Sequence, residues 1–258
     1  MLQETHSTKD LEDMWRHEWG GKIYFSHGTS ESRGVAILLS PQLDINILEV
    51  IGDDEGRFVA FKTESTVGED LLLCNVYAPT RNNVGLQQEF LGKMKIKIAN
   101  IEYVHLILGG DWNTIFDPKL DKFGGDMNYC VSKYTEDLLI FMETFDLVDI
   151  IRHLHPEKKL YTRFQRNPLV MSRIDHFLIS SQLCNLVKSA YIHPGVKSDH
   201  SLIDLHLIES KISRGKGFWK FNMQLLKDKE YVESIKSLIA DLKLNTVDIL
   251  DKGIRCKM

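Results

Sequence analysis

The chain has 258 residues, of which 43% are hydrophobic, 9% aromatic and 26% charged, with a formal net charge of −4. That balance describes a soluble globular protein with enough apolar surface for one large core or two modest ones. It excludes a membrane span, since no stretch approaches about 20 uninterrupted apolar residues, and Met1–His6 shows no signal-peptide pattern.

The four cysteines, Cys74, Cys130, Cys184 and Cys256, are scattered and form no C-x-x-C pair. Neither a zinc ribbon nor a disulfide framework is supported, and a nuclear or cytoplasmic setting, not secretion, is expected. Residues 1–208 hold 21 basic and 29 acidic residues, against 11 and 7 in the remainder. An acidic body with a mildly basic tail differs from the footprint of a passive nucleic-acid binder. It suits a body whose carboxylates hold a divalent metal, or simply a well-solvated surface.

The pattern Ser7-Thr8-Lys9-Asp10 followed by Leu11, Met14, Trp15 and Trp19 predicts a helix over 7–19 with a capping box, stopped by Gly20-Gly21. Apolar, β-branched runs at 35–39, 45–51, 58–62 and 71–77, separated by short turn-forming segments, predict an antiparallel meander. A helix is expected at 84–101, then a buried strand at 104–108 ending in Gly109-Gly110-Asp111-Trp112-Asn113. After Gly124-Gly125 come a helix at 133–145 and strands at 160–164, 174–179 and 202–207. From Ser210 the composition shifts to a linker, and helical periodicity returns at 225–242. Strands and helices without strict alternation point to an α/β (α+β) layered sandwich.

Polar residues at strand ends are the informative positions, because a sheet holds them rigidly. Glu4 stands near the start, and Tyr77 closes the run Asn75-Val76-Tyr77. Asp111 and Asn113 follow the apolar run to Leu108. Asp175 interrupts the apolar strand Ile174–Ile179, and Asp199-His200 precedes the last strand. Each has an ordinary reading: a solvated Glu, an Asx turn, a cap, a core tyrosine. Asp175 resists it, since an unpaired carboxylate in an apolar strand costs several kcal/mol and wants a cation, a histidine or a metal.

In order, Gln3-Glu4-Thr5, Asn75–Pro79, Gly110-Asp111-Trp112-Asn113, Ser172-Arg173-Ile174-Asp175 and Ser198-Asp199-His200 resemble the motifs of the endonuclease/exonuclease/phosphatase superfamily. That family includes exonuclease III, the abasic-site endonucleases, neutral sphingomyelinases and inositol-polyphosphate phosphatases. Within it, Trp15–Gly21, Ser26–Ser30 and Gly217–Asn222 are similar to the endonuclease of LINE-type non-LTR retrotransposons and its linker to reverse transcriptase. The resemblance implies a four-layer α/β sandwich of two packed mixed sheets flanked by helices. It also implies an endonuclease/exonuclease/phosphatase domain at 1–208, and at 209–258 a linker and helical segment like that before a reverse transcriptase. The family's first strand and helix, and the Asn they carry, have no counterpart here. Arg163 stands where relatives place an aromatic residue.

Carried over residue by residue, the resemblance implies a Mg²⁺- or Mn²⁺-dependent hydrolase of DNA phosphodiesters, leaving a 3′-hydroxyl and a 5′-phosphate. Glu4 and Asp199 are expected to hold the metal, Asp111 to activate water, Asn113 and Tyr77 to contact the phosphate, and His200 to act as a cation paired with Asp175. DNA and a divalent metal are the expected partners, together with a once-fused reverse transcriptase and no membrane. The rival readings are a repair nuclease of the exonuclease III or abasic-site type and a catalytically dead remnant.

Overall fold

A computed structural model describes residues 1–64, 69–81, 83–125, 131–195 and 198–208, with five positions between 232 and 237. The chain divides into two compact units, Met1–Ile212 and Ser213–Met258. The second lies almost wholly outside the described residues, and with it the expected linker and helix of 209–258.

The strands of the first unit are β1 (Leu2–Gln3), β2 (Ile23–Ser26), β3 (Val35–Leu38), β4 (Ile47–Gly52), β5 (Phe58–Glu64), β6 (Asp70–Tyr77) and β7 (His105–Asp111). They continue as β8 (Lys122–Phe123), β9 (Leu147–Asp149), β10 (Arg163–Gln165), β11 (Val170–Ser172), β12 (Asp175–Ser180), β13 (Val187–His193) and β14 (Leu202–Leu207). The helices are α1 (Glu12–Trp19), α2 (Val84–Ala99), α3 (Pro118–Asp121), α4 (Lys133–Thr144) and α5 (Ile150–Leu154).

An inner six-stranded sheet runs β4-β5-β6-β7-β12-β9, antiparallel except for the parallel β6–β7 pair. The apolar runs of β5, β6 and β7 are buried on both faces, which is why they read as continuous rather than alternating. One face packs on α2 and α4 through Leu72, Cys74, Leu106 and Leu108 against Phe90, Met94, Leu138 and Phe141. Fully burying side chains of this kind stabilises by about 1.5–3 kcal/mol each.

The opposite face is covered twice. The sheet β1-β3-β2 lies over β5 and β6 through Val35, Ile37, Val59 and Phe61. The hairpin β13–β14 lies over β7 and β12 through Ile107, Ile179, Ala190 and Leu205. With Trp15 of α1 set edge-on to Phe25 of β2, the order is helix, sheet, sheet, helix. The outer layer departs from the expected mixed sheet: it is antiparallel and divided. Beneath the division lies a cavity of about 390 Å³ lined by Leu71, Leu73, Ile107, Phe177, Leu205 and Leu207 among others.

The buried Asn75 carboxamide ties the two layers, accepting from Gln3 Nε2 and donating to the carbonyls of Leu2 (2.7 Å) and Ala36 (2.9 Å). A third small sheet, β10-β11-β8, brings Lys122, Arg163, Val170 and Ser172 to the same cleft as Tyr77 and Asp111.

Three local expectations change. Ser7 does not cap a helix; it is buried, its hydroxyl accepts from Thr5 and meets His27 Nδ1 at 3.1 Å, and a 3₁₀ turn over Lys9–Leu11 starts the helical run. The run at 35–39 joins the outer layer, leaving β4-β5-β6 as the meander. The strand expected at 104–108 continues to Asp111, because Gly109 and Gly110 stay in the ladder opposite Phe177 and His176.

Candidate active site

The site grows from the C-terminal ends of β6 and β7 and the N-terminal end of β12. Tyr77 is in register with Asp111 across the parallel β6–β7 pair, and Asp111 with Asp175 across the antiparallel β7–β12 pair. One row across three strands therefore carries all three groups. Only glycine fits just before Asp111: Gly110 has φ of 142°, and a Cβ there would sit 2.0 Å from the Val76 carbonyl oxygen.

His200 completes the row from the segment before β14. Its Nδ1 lies 3.0 and 3.1 Å from the two Asp175 oxygens, and its backbone N–H is held by the Ser198 hydroxyl. Burial alone would lower the imidazole pKa, but the hydrogen bond to Asp175, with the charges of Asp175, Asp111 and Asp199, raises it to about 9. Burial, then the facing Asp175, pushes the Asp111 carboxyl up to about 8, against the opposing pull of His200 and the Asn113 N–H. Burial and the bond to Glu4 raise the Tyr77 phenol, so it remains a donor.

Glu4 reaches the row from the outer layer and accepts a hydrogen bond from the Tyr77 hydroxyl. The Arg57 guanidinium lies 5.4 Å from the Tyr77 ring centroid and donates to the Tyr77 carbonyl. Glu4 and Asn113 both occupy the left-handed region, with φ of 51° and 49°, a conformation uncommon outside glycine that clusters at functional sites. Asn113 turns inward: its backbone N–H donates to Asp111 Oδ1 at 2.8 Å and its carboxamide to the Ala78 carbonyl at 2.8 Å. Asp199 pairs with Arg163 Nε at 3.2 Å.

All seven residues singled out in the sequence, Glu4, Tyr77, Asp111, Asn113, Asp175, Asp199 and His200, line one cleft of about 1040 Å³. Among the described residues, Asp111, Asp175 and His200 bring their ligating atoms within 4.8 Å of one another. Glu4 and Asp199 share the cleft but are engaged by Tyr77 and Arg163. Because His200 Nδ1 and Asp175 already satisfy each other, the trio is an ion pair beside a carboxylate rather than a ready ligand set. The cleft as a whole fits a hard divalent cation, since it offers carboxylate oxygen from Glu4, Asp111, Asp175 and Asp199.

Sequence reasoning missed the residues that hold the row. The buried Thr162 hydroxyl accepts from the N–H groups of both Ile174 (3.0 Å) and Asp175 (3.1 Å), while the Thr162 carbonyl accepts from Ser201. It thus ties the entry to β12 to the loop that carries His200. The fully buried Arg173 is clasped by Asp121 and Asp149 and donates to His176 Nδ1. An Arg two residues ahead of Asp175 in an apolar context was the available signal.

The model of the endonuclease/exonuclease/phosphatase family matches residues 1–200. The chain belongs to that family. Endonuclease/exonuclease/phosphatase proteins hydrolyse phosphate esters, and this chain is a hydrolase of that kind. Over 240 residues, 91% of its length, it is 30% identical to the transposon TX1 uncharacterized 149 kDa protein of Xenopus laevis, and it spans 18% of that protein.

Solved structures share the fold at low identity. The 3′-5′ exonuclease NExo of Neisseria meningitidis superposes with a TM-score of 0.65 at 20% identity, covering 80% of this chain and 88% of that one. The AP endonuclease LMAP of Leishmania major gives 0.66 at 19%, covering 80% and 77%. The catalytic domain of Xenopus laevis APE2 gives 0.63 at 22%, covering 80% and 83%.

Proposed function

We propose that the chain is a divalent-metal-dependent DNA endonuclease of retrotransposon type. In this reading it cuts one phosphodiester to leave a 3′-hydroxyl and a 5′-phosphate and works as part of a longer protein that includes a reverse transcriptase. The observation that carries the reading is the row Tyr77–Asp111–Asp175 with His200 bonded to its end. The resemblance to a transposon protein supports DNA as the substrate.

In this reading Asp111 accepts a proton from the attacking water. Its pKa of about 8 places it close to neutrality, where a general base is most effective, and the Asn113 N–H fixes which oxygen faces the water. His200, kept cationic by Asp175, faces the non-bridging oxygens and offsets the charge that grows there in the transition state. Tyr77, still protonated, donates to the phosphate or the leaving oxygen once released from Glu4. Mg²⁺ or Mn²⁺ held by Glu4 and Asp199 would polarise the phosphoryl group. The exposed Arg163–Asp199 pair is the sort of contact that exchanges at little cost.

The test is nicking of supercoiled plasmid under Mg²⁺, Mn²⁺ and EDTA, followed by a panel of intact, abasic and recessed-end duplexes. Metal-dependent nicking of intact duplex supports the reading. Cleavage confined to abasic or recessed ends moves the chain to the repair nucleases, and no cleavage under any metal leaves a binding remnant.

A further inference from the structure

We propose that His176, braced by Arg173, is a positioning residue that sets the orientation of Asp111. The inference deepens the nuclease reading and rests on it. The β7–β12 ladder ends where Trp112 N–H meets the Ile174 carbonyl. Beyond that point the chain leaves the sheet through Asn113 and Thr114, yet Asn113 must keep its N–H on Asp111 Oδ1.

The Asn113 carboxamide holds the Ala78 carbonyl and the Thr114 hydroxyl meets Thr135; His176 adds the attachment at the Thr114 carbonyl. It alternates with Asp175 on β12, so Asp175 faces the cleft while His176 faces the helical layer, where it is fully buried. Its Nε2 lies 3.1 Å from the Thr114 carbonyl oxygen, and its Nδ1 lies 2.8 Å from Arg173 Nη1. A guanidinium only donates and a carbonyl only accepts, so these contacts select the neutral ring with the proton on Nε2. Nδ1 also lies 3.4 Å from Asp149 Oδ2, but the shorter contact from an obligate donor decides its role. Asp149 and Asp121 hold the Arg173 guanidinium in turn, and the imidazole packs on Phe116 with centroids 4.6 Å apart.

The path is continuous: Arg173 fixes the ring, the ring fixes the Thr114 carbonyl, and that carbonyl fixes the turn whose N–H aims Asp111. No atom of His176 enters the cleft. Its effect is therefore on the geometry of a reacting group rather than on DNA binding.

His176→Leu removes both polar contacts. The Arg173 Nη1 keeps its 2.7 Å bond to Asp149, so no buried cation is stranded and a folded variant is expected. His176→Gln returns a donor to the Thr114 carbonyl. The expected result is a kcat for plasmid nicking reduced about 10- to 100-fold in His176→Leu, with KM within about twofold and a cooperative melt, and recovery of most of the rate in His176→Gln.

Asp111 is also one of the carboxylates the cleft offers a cation, so the Mn²⁺ affinity of each purified variant, read from the electron paramagnetic resonance of the free ion, gives a second measure that needs no turnover. It should weaken in the Leu variant and return in the Gln variant. A folded His176→Leu protein with the parent's kcat and Mn²⁺ affinity overturns the proposal. A parent that never nicks defeats the nuclease reading instead, and the Mn²⁺ comparison still decides the role of His176. Should His176→Leu not fold, a His176→Gln protein as impaired as an Asp111 variant overturns the proposal equally.

Discussion

Asp111 and Asp175 stand directly opposite each other on adjacent antiparallel strands, both buried. Like charges in that relation repel, by about 0.2–1 kcal/mol even at ordinary sheet positions, and here water is largely excluded. The cation bonded to this pair is His200, held by Asp175. Asp111 accepts the Asn113 N–H beside that ion pair, and it is the group the proposed chemistry needs as a base. Reactivity and instability thus have one source.

Asp111→Asn should therefore separate the two. Nicking is expected to fall about 10²–10³-fold, while stability in EDTA at pH above 8 rises by about 0.5–1 kcal/mol. The sign follows from the raised pKa: a carboxyl whose folded pKa lies above its unfolded value loses stability as pH climbs through the folded value of about 8. Urea unfolding of the two proteins at pH 6 and pH 9 checks this, and an Asn variant that is less stable at pH 9 contradicts it.

Thr162→Val removes one hydroxyl that serves two buried N–H groups. Each orphaned donor costs about 1–3 kcal/mol, so a melt lowered by more than 5 °C is expected, with nicking reduced as the backbone at Asp175 loses its support. Thr162→Ser should stay close to the parent in both measurements. Equal behaviour of Ser and Val variants would show that the hydroxyl is idle.

Acid should loosen the molecule from behind the site. Burial works to raise the Asp121 and Asp149 carboxyls, but the buried Arg173 guanidinium between them outweighs it and holds both below the usual carboxylate range. With folded pKa values below unfolded ones, their contribution is present above about pH 4 and drains away as pH falls through the folded values. Arg173→Met should cost about 3–5 kcal/mol at pH 7, since it strands the buried Asp149 carboxylate and leaves Asp121 to Arg152 alone. The cost should shrink toward pH 4 as they take up protons. Denaturant midpoints at the two pH values decide it.

Arg163→Ala should lower the Mg²⁺ concentration needed for half-maximal nicking, because it frees Asp199 from an exposed pair. A shift of about two- to fivefold is expected, the range open to a surface ion pair of about 0.2–1 kcal/mol. A higher Mg²⁺ requirement would mean that Arg163 serves the substrate rather than restraining the ligand.

The rows of the inner sheet were legible because their signal is local. Continuous apolar runs marked β5, β6 and β7, and the polar residues at their ends marked the site, so Tyr77, Asp111, Asp175 and His200 were found together. What stayed hidden depends on partners far away in the chain. Asp121 meets Arg173 across 52 positions, and the Thr162 hydroxyl serves an N–H 13 positions on. Neither pairing leaves a pattern in a short window. β2 and β13 escaped for another reason: β2 is only four residues long and β13 is half-exposed and polar in places, and both form strands because neighbours supply the ladder. The Ser7 capping box was misread because His27, 20 residues away, captures the hydroxyl first.

The divided outer layer has a consequence for how the protein should be handled. Among the described residues, β14 pairs only with β13 and β1 only with β3, so backbone donors and acceptors line both banks of the apolar slot between them. Such banks recruit extended polypeptide. In a concentrated sample the nearest extended polypeptide is another molecule's strand, and the chain should turn sticky as its concentration rises. Yet the same slot is a handle: a short peptide alternating valine with polar residues, added in excess, should lift the melting temperature by mass action and keep the molecules apart.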